Sequence, residues 1–463
     1  MNLEQYVKAK HGNDPHWFVE EISTVANQQR LMNVETKKDY LMGEHKIKDL
    51  PSYMYNGKSI TPRKIVLQQA RMILNFHTQF LLKNDVQLTG NEKMIDELGK
   101  VNKLGKYNAK NLKILSNLLK FGSCAEYIYV NKKGYIDSKI IPADEGTPVF
   151  NHFNEMIAFV QSYVFDGISY YVLYEDDVVK EFNNEGGEMK LTSQYHNLSG
   201  LPVYYHTHNE YSEVEGSSVL DDFIGILDNM ELLLSKTVDS HYSYITGIPV
   251  LVGQRITSEG IPKEIVGGGL VLEDGASFSF QSNDLDIKAF SALYDQLNQN
   301  LLDIASVPAI SVNGSEVSNL SEVSIKMLFS LADIKASENE GYMREGLMER
   351  YDKIRNLLSY RGVTISDDDY ASLDLLFTYN RPSNESERVK DLKELRAMNA
   401  ISMESLLEHS PYSTDPMMEM ERIKAEEASK PVVVVPVDKQ ADKQVKGKFV
   451  NEDEEEESNA LVE

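Results

Sequence analysis

From residue 321 to 360 the chain keeps a helical hydrophobic pattern for about forty residues, and no other feature constrains the fold as strongly. Gly341 and Gly346 lie inside this pattern and are the expected kinks, because glycine costs ~1 kcal/mol in a helix interior. The segments before it come in a fixed order. A helix over 217–244 carries Val219, Leu220, Phe223, Ile226, Leu227, Met230, Leu233, Leu234 and Val238 on one stripe. Ser218 with Asp221 supplies its capping signal. Residues 246–288 are broken by glycines into short apolar runs such as 248–252 and 270–272, which predicts a small β-rich insert. A second striped helix over 290–305 stops before Pro308. Residues 311–319, with Asn313-Gly314 and several serines, then read as a loop.

Upstream, the first 120 residues read as mostly helical. Ile65, Val66, Met72, Ile73, Phe76 and Phe80 recur at helical steps after a Thr61-Pro62 start signal. A further helix over 109–121 ends at Gly122. The period then changes to two. Strands are expected at 125–130, 156–164, 169–174 and 178–182, with turns at 131–134, Gly167 and 183–187. These make an antiparallel sheet of short strands, and residues 202–208 close the section. Downstream, 373–379 reads as a strand, and 385–398, 402–409 and 417–428 read as helices. Residues 431–463 hold nine acids, four lysines and a single aromatic, Phe449, and are expected to be disordered. The fold class is therefore α+β, mainly helical.

Acids outnumber bases 72 to 47, a net charge of −25. The tail accounts for −5 of this, and residues 213–240, with seven acids against one base, for −6. A chain so charged is not built to grip nucleic acid by neutralising phosphates. The lone Cys124 excludes an internal disulfide framework and a thiolate zinc cage, and points to a reducing, intracellular setting. The N-terminus lacks a signal pattern, and no apolar run reaches the ~18 residues that span a bilayer. A soluble, cytoplasmic protein without a membrane partner is the expectation.

A search for chemistry returns little. No phosphate-cradling GxxxxGK[ST] sequence is present, and Gly267-Gly268-Gly269 reads as a turn. His206 and His208 would share one face of a strand, a feasible metal pair that lacks a third ligand. Asp176-Asp177 and Asp367-Asp368-Asp369 could hold Mg²⁺ for nuclease chemistry, but both fall at expected turns. Cys124 reads as a buried inert thiol, and Trp17 as a packing residue. Nothing assembles a nucleophile, a base and an oxyanion site. No catalytic residue, metal ligand or cofactor is assigned, and the chain is not read as an enzyme.

Several stretches, taken in order, resemble the portal proteins of tailed double-stranded DNA bacteriophages, of the type found in long-tailed phages of Gram-positive hosts. Residues 40–47, Tyr-Leu-Met-Gly-Glu-His-Lys-Ile, match an early tyrosine–glycine–histidine element. Lys64-Ile65-Val66 through Phe80-Leu81-Leu82 to Val86 matches a helix and its trailing segment. Residues 122–130 match a strand pattern, and Leu201-Pro202-Val203 with Asn209-Glu210-Tyr211 matches the lead-in to the first stem helix. Ala305-Ser306-Val307-Pro308 with Asn313-Gly314 matches the segment before the tunnel loop. The sequence departs from the pattern at Asn319-Leu320-Ser321-Glu322.

The resemblance implies a portal fold with wing, stem, clip and crown, assembled as a ring of about twelve subunits. It places the wing at 1–215, stem helices at 216–244 and 289–307, the clip at 245–288 and the tunnel loop at 308–322. The long kinked helix with a wing strand falls at 323–381, the crown at 382–430 and the acidic tail at 431–463. It implies a structural protein of the virion, at a capsid vertex, assembled in the host cytoplasm. Double-stranded DNA would pass through the ring during packaging and ejection. Implied partners are the terminase large subunit, the major capsid and scaffolding proteins and a head-completion adaptor. Val312, Asn313, Gly314, Ser315, Glu316, Val317 and Ser318 would meet DNA in the tunnel loop. Asp221, Asp222, Asp228, Glu231 and Asp239 would form an acidic stem lumen that repels phosphate. Gln254, Arg255, Glu259, Lys263 and Glu264 would bind partners at the clip. The rival readings are an acidic metal-dependent hydrolase using His206, His208 and the aspartate clusters, and a virion structural protein without a channel.

Overall fold

Asn2 opens the first helix, α1 (Leu3–His11), through a reciprocal capping box with Gln5. α2 (Trp17–Ile22) and α3 (Val25–Met42) follow. This computed structural model describes residues 1–55, 58–245, 248–253, 274–281, 287–309, 321–382, 384–413 and 415–429. It is a mixed helix and sheet protein that divides into two units, 1–383 and 384–463.

In the first unit a short hairpin, β1 (Tyr53–Tyr55) with β2 (Lys58–Ile60), leads to α4 (Gln69–Leu82). The helix expected from Thr61-Pro62 onward starts only at Gln69, so Ile65 and Val66 are not on it. The N–H groups of Arg63, Ile65 and Leu67 are taken by side chains of a distant helix, which holds the segment out of helical form. β3 (Gln87–Thr89), α5 (Glu92–Gly105) and α6 (Tyr107–Phe121) come next, and α6 ends at Gly122 in the left-handed region, as its sequence predicts.

The strand region forms two sheets rather than one. β4 (Ser123–Val130) pairs with β5 (Ile136–Pro142). β6 (Gly146–Phe150), β7 (Met156–Phe165), β8 (Ile168–Tyr174), β9 (Val178–Asn183) and β10 (Lys190–His196) form a five-stranded antiparallel meander. β11 (Val203–His206) returns to β4 instead of closing the meander, giving a three-stranded sheet. Period-two alternation separates the meander's faces. Ala158, Val160 and Leu173 pack with Trp17 and Phe18, while Phe159, Val172 and Tyr174 meet Ala125 and Tyr127 of the smaller sheet.

α7 (Leu220–Ile245), the pair β12 (Ile248–Val252) and β13 (Ser277–Gln281), and α8 (Ile287–Ile304) follow in the expected order. The expected run 270–272 lies outside the described residues. α9 (Glu322–Leu328) and α10 (Ser330–Tyr360) replace the single kinked helix. The break sits at Phe329 and not at the glycines. Gly346 serves a close approach instead: a Cβ there would lie 2.3 Å from the Tyr205 ring. α11 (Asp367–Ala371) and β14 (Asp374–Leu376), paired to β3, complete the unit.

The main core joins α4, α6, α7, α10 and β4. Inside it Arg350, with no exposed surface, donates to Glu126 at 2.7 Å and to Asn111 at 2.6 Å, and the Tyr205 hydroxyl donates to Glu126 at 2.8 Å. This buried ion pair ties the long helix to the smaller sheet. In the second unit α12 (Glu385–Ala397), α13 (Met403–His409) and α14 (Pro416–Ser429) match the expected helices. The tail 431–463 lies outside the described residues.

Candidate functional site

α7 carries the acids assigned to a channel wall, and its local start is set by Ser218. The Ser218 hydroxyl accepts the N–H of Leu220 at 3.1 Å and donates to the carbonyl of Lys120 at 2.6 Å. This joins the start of α7 to the end of α6. Backbones cross closely here: a Cβ on Gly216 would lie 2.0 Å from the Gly122 carbonyl oxygen. The stripe Leu220, Phe223, Leu227 and Met230 is fully buried, with Leu301 of α8 and Ala305 just beyond its end in the same core.

The strip of α7 beside this stripe clamps an irregular segment of its own chain. The N–H of Arg63 donates to Asp239 (3.0 Å), that of Ile65 to Ser235 Oγ (3.0 Å) and that of Leu67 to Glu231 Oε1 (2.7 Å). Alternate residues of an extended backbone advance about 6.7 Å, and every fourth residue of a helix about 6 Å. Side chains at 231, 235 and 239 therefore meet N–H groups at 67, 65 and 63 in antiparallel order.

Glu231 is the centre of this clamp and corrects an expectation. It has no exposed surface, so it is not an acid of a solvent-filled lumen. His45 Nδ1 lies 2.6 Å from its Oε1, and Nε2 lies 2.9 Å from the Tyr40 carbonyl oxygen. The Tyr40 ring stacks on His45, centroids 3.8 Å apart. The tyrosine–glycine–histidine element thus exists to seat a histidine on α7. Asp228 pairs with Lys46 at 2.9 Å, and Asp239 also faces the Arg63 guanidinium at 3.6 Å; both carboxylates are largely covered. Asp221 pairs with Lys37 at 2.9 Å while staying half exposed. Asp222 is exposed as a residue, yet partial burial of its carboxyl raises its pKa; Lys335 pulls the other way, and Asp221 and Glu338 add to the rise. A cleft of about 770 Å³ opens beside these two acids, with Arg30, Lys335 and Glu338 on its walls.

The remaining candidates separate. His206 stacks on Tyr204, and its Nδ1 is 3.3 Å from the Thr207 carbonyl. Asp367, Asp368 and Asp369 form the first turn of α11 under a Ser366 cap, and Asp367 pairs with Arg355. Asp176 and Asp177 occupy the turn between β8 and β9. Among the described residues no three such groups are close enough to hold a metal ion. Cys124 is buried, and burial pushes its thiol up, away from nucleophilic use. Val312 to Ser318 of the tunnel loop and Gln254, Arg255, Glu259, Lys263 and Glu264 of the clip lie outside the described residues. Reading the sequence missed Lys37, His45, Lys46 and Arg63 as partners of α7. His45 and Lys46 had a signal, their place in the quoted element, and Lys37 and Arg63 had none.

Residues 22–430 match the family model described as phage portal protein, SPP1 Gp6-like. The portal protein of Bacillus phage SPP1 is 23% identical over 389 residues, spanning 77% of this chain and 74% of that protein. Among solved structures, a chain in the neck of an empty GTA particle computed with C6 symmetry aligns with 8% identity and a TM-score of 0.45, covering 72% of this chain and 86% of the other. One in the neck of a native GTA particle computed with C12 symmetry aligns with 10% identity and a TM-score of 0.44, covering 72% and 88%. A family match over so much of the length decides the assignment: the chain belongs to the SPP1 Gp6-like family of phage portal proteins.

Proposed function

We propose that the chain is the subunit of a ring at a capsid vertex, through which double-stranded DNA is packaged and later ejected. The family match over 22–430 carries this reading. α7 and α8 form the stem, and β12 with β13 belongs to a clip that docks the terminase large subunit and afterwards a head-completion adaptor. Residues 312–318 form the tunnel loop that meets DNA, and the clip residues 254–264 include the partner contacts. Asp221 and Asp222 keep the lumen assignment, because their side chains are the most open of the five. An acidic wall repels phosphate and lets a duplex slide without being held. The chain's role is structural, and the work of translocation falls to its partner.

Negative-stain imaging of the purified protein tests the reading. A ring of about twelve copies with a central hole is expected, roughly 0.6 MDa for chains of 52.5 kDa. Monomers or fibres would overturn it.

A further inference from the structure

Between Leu98 and Ala125 the chain has six lysines and no acid, against a whole-chain charge of −25. Three of them, Lys110, Lys113 and Lys120, lie on α6 along about 15 Å of its axis. Two hollows flank them. One, of about 590 Å³, is lined by Lys110, Lys113 and Lys120 with Ser116 and Asn117. The other, of about 360 Å³, is lined by Lys120, Arg71 and Lys38 around Leu41, Leu74 and Phe121. Lys120 lines both, so the hollows adjoin, and neither has an acid in its wall.

Two of the five bases are neutralised from behind: Lys38 by Asp144 and Lys110 by Asp137. Arg71 donates only to the Leu41 carbonyl, and Lys113 and Lys120 have no carboxylate partner among the described residues. Burial, and next the nearby Arg71, lower the pKa of Lys120, so its charge sits uncompensated. Other bases, such as Lys335 and Arg381, sit against acids within 3 Å. Here Arg71 and Lys120 flank the apolar hollow and Lys113 the hollow beside it, none of them against a carboxylate among the described residues.

We propose that this face of α4 and α6 is a docking site for an acidic amphipathic helix of a partner protein. Lys113 and Lys120 are about 10.5 Å apart along α6, so glutamates seven residues apart on such a helix would meet them, and a large apolar side chain would enter the hollow at Leu41, Leu74 and Phe121. Charge complementarity and the apolar floor together select this occupant over nucleic acid, which needs phosphate contacts and gains nothing from an aliphatic hollow. The site stands whether or not the subunits form a ring.

Fluorescence anisotropy on the full chain tests it, with three labelled probes: an 18-residue Glu/Leu amphipathic helix, a Glu/Ala helix of equal charge and an 18-base-pair DNA duplex. The Glu/Leu helix should bind about tenfold tighter than Glu/Ala. Lys113→Gln with Lys120→Gln should weaken it about tenfold at low salt, with an unchanged circular dichroism spectrum, while Asp221→Asn should leave it unaltered. Equal binding by the parent and the double variant, or displacement of the peptide by the duplex, would overturn the proposal.

Discussion

The acidic helix α7 and the basic face of α4 and α6 treat charge in opposite ways. On α7, Asp221, Asp228, Glu231 and Asp239 meet Lys37, Lys46, His45 and Arg63 of the same chain. On the basic face Arg71, Lys113 and Lys120 meet no carboxylate among the described residues. The region that dominates the charge sum is therefore largely satisfied internally, and the region the sum conceals is not. Net charge reports neither; only the pairing does.

Removing the anchor of the satisfied region should have the largest effect. Glu231→Ala strips a buried carboxylate from His45 and from the Leu67 N–H. Two buried donors left without their acceptor should cost about 2–5 kcal/mol. Urea unfolding monitored by circular dichroism reads this directly. A loss below about 1 kcal/mol would mean that the clamp does not hold the segment in solution.

A buried imidazole with no carboxylate partner among the described residues sharpens the contrast. His77 donates from Nε2 to the Ala305 carbonyl at 2.7 Å, and burial holds its pKa down, at about 4 against an ordinary 6.5. The folded value is depressed, so this contribution is complete above pH 6.5 and is lost as pH falls through 4. Between pH 7 and 4 the parent should lose up to about 3 kcal/mol more than His77→Gln, whose amide can keep the bond without titrating. Paired unfolding curves across that range check it; parallel losses would place His77 in a wetter site than the structure shows.

Local pattern made much of the fold legible. α6 with Gly122, strands β7 to β9, and α8 stopping before Pro308 are set by neighbours in sequence. What was not legible depends on distant partners. β11 pairs with β4 across some eighty residues, and the segment 63–67 is shaped by side chains of α7 more than 160 residues away. The helix break moved from Gly346 to Phe329 because Gly346 answers to Tyr205, which no helical pattern reveals. The candidate site followed the same rule. Its acids could be counted, but their direction was fixed by Lys37, His45, Lys46 and Arg63. The lysines of α6 were hidden because a sum over the chain averages them away.

The middle of the ladder offers a smaller, cleaner probe. Ser235→Ala removes a neutral acceptor from the Ile65 N–H and leaves the charges in place. The cost should be about 1 kcal/mol, a donor left in a partly wet groove. Faster hydrogen exchange at Ile65 than at Leu67 in the variant would show the ladder opening at that rung alone.

The smallest effect belongs to the basic face, and its sign is the informative part. Lys120 is half-buried, its charged form disfavoured first by burial and then by Arg71. Replacing it with glutamine removes a repulsion and breaks no carboxylate pairing. Lys120→Gln should therefore leave the isolated chain as stable as the parent, or more stable by up to about 0.5 kcal/mol. Conservative surface changes that break a real interaction run the other way. A destabilisation above about 1 kcal/mol in thermal or urea unfolding would mean that Lys120 is already neutralised within the fold. The two regions would then differ in the sign of their charge and not in whether it is satisfied.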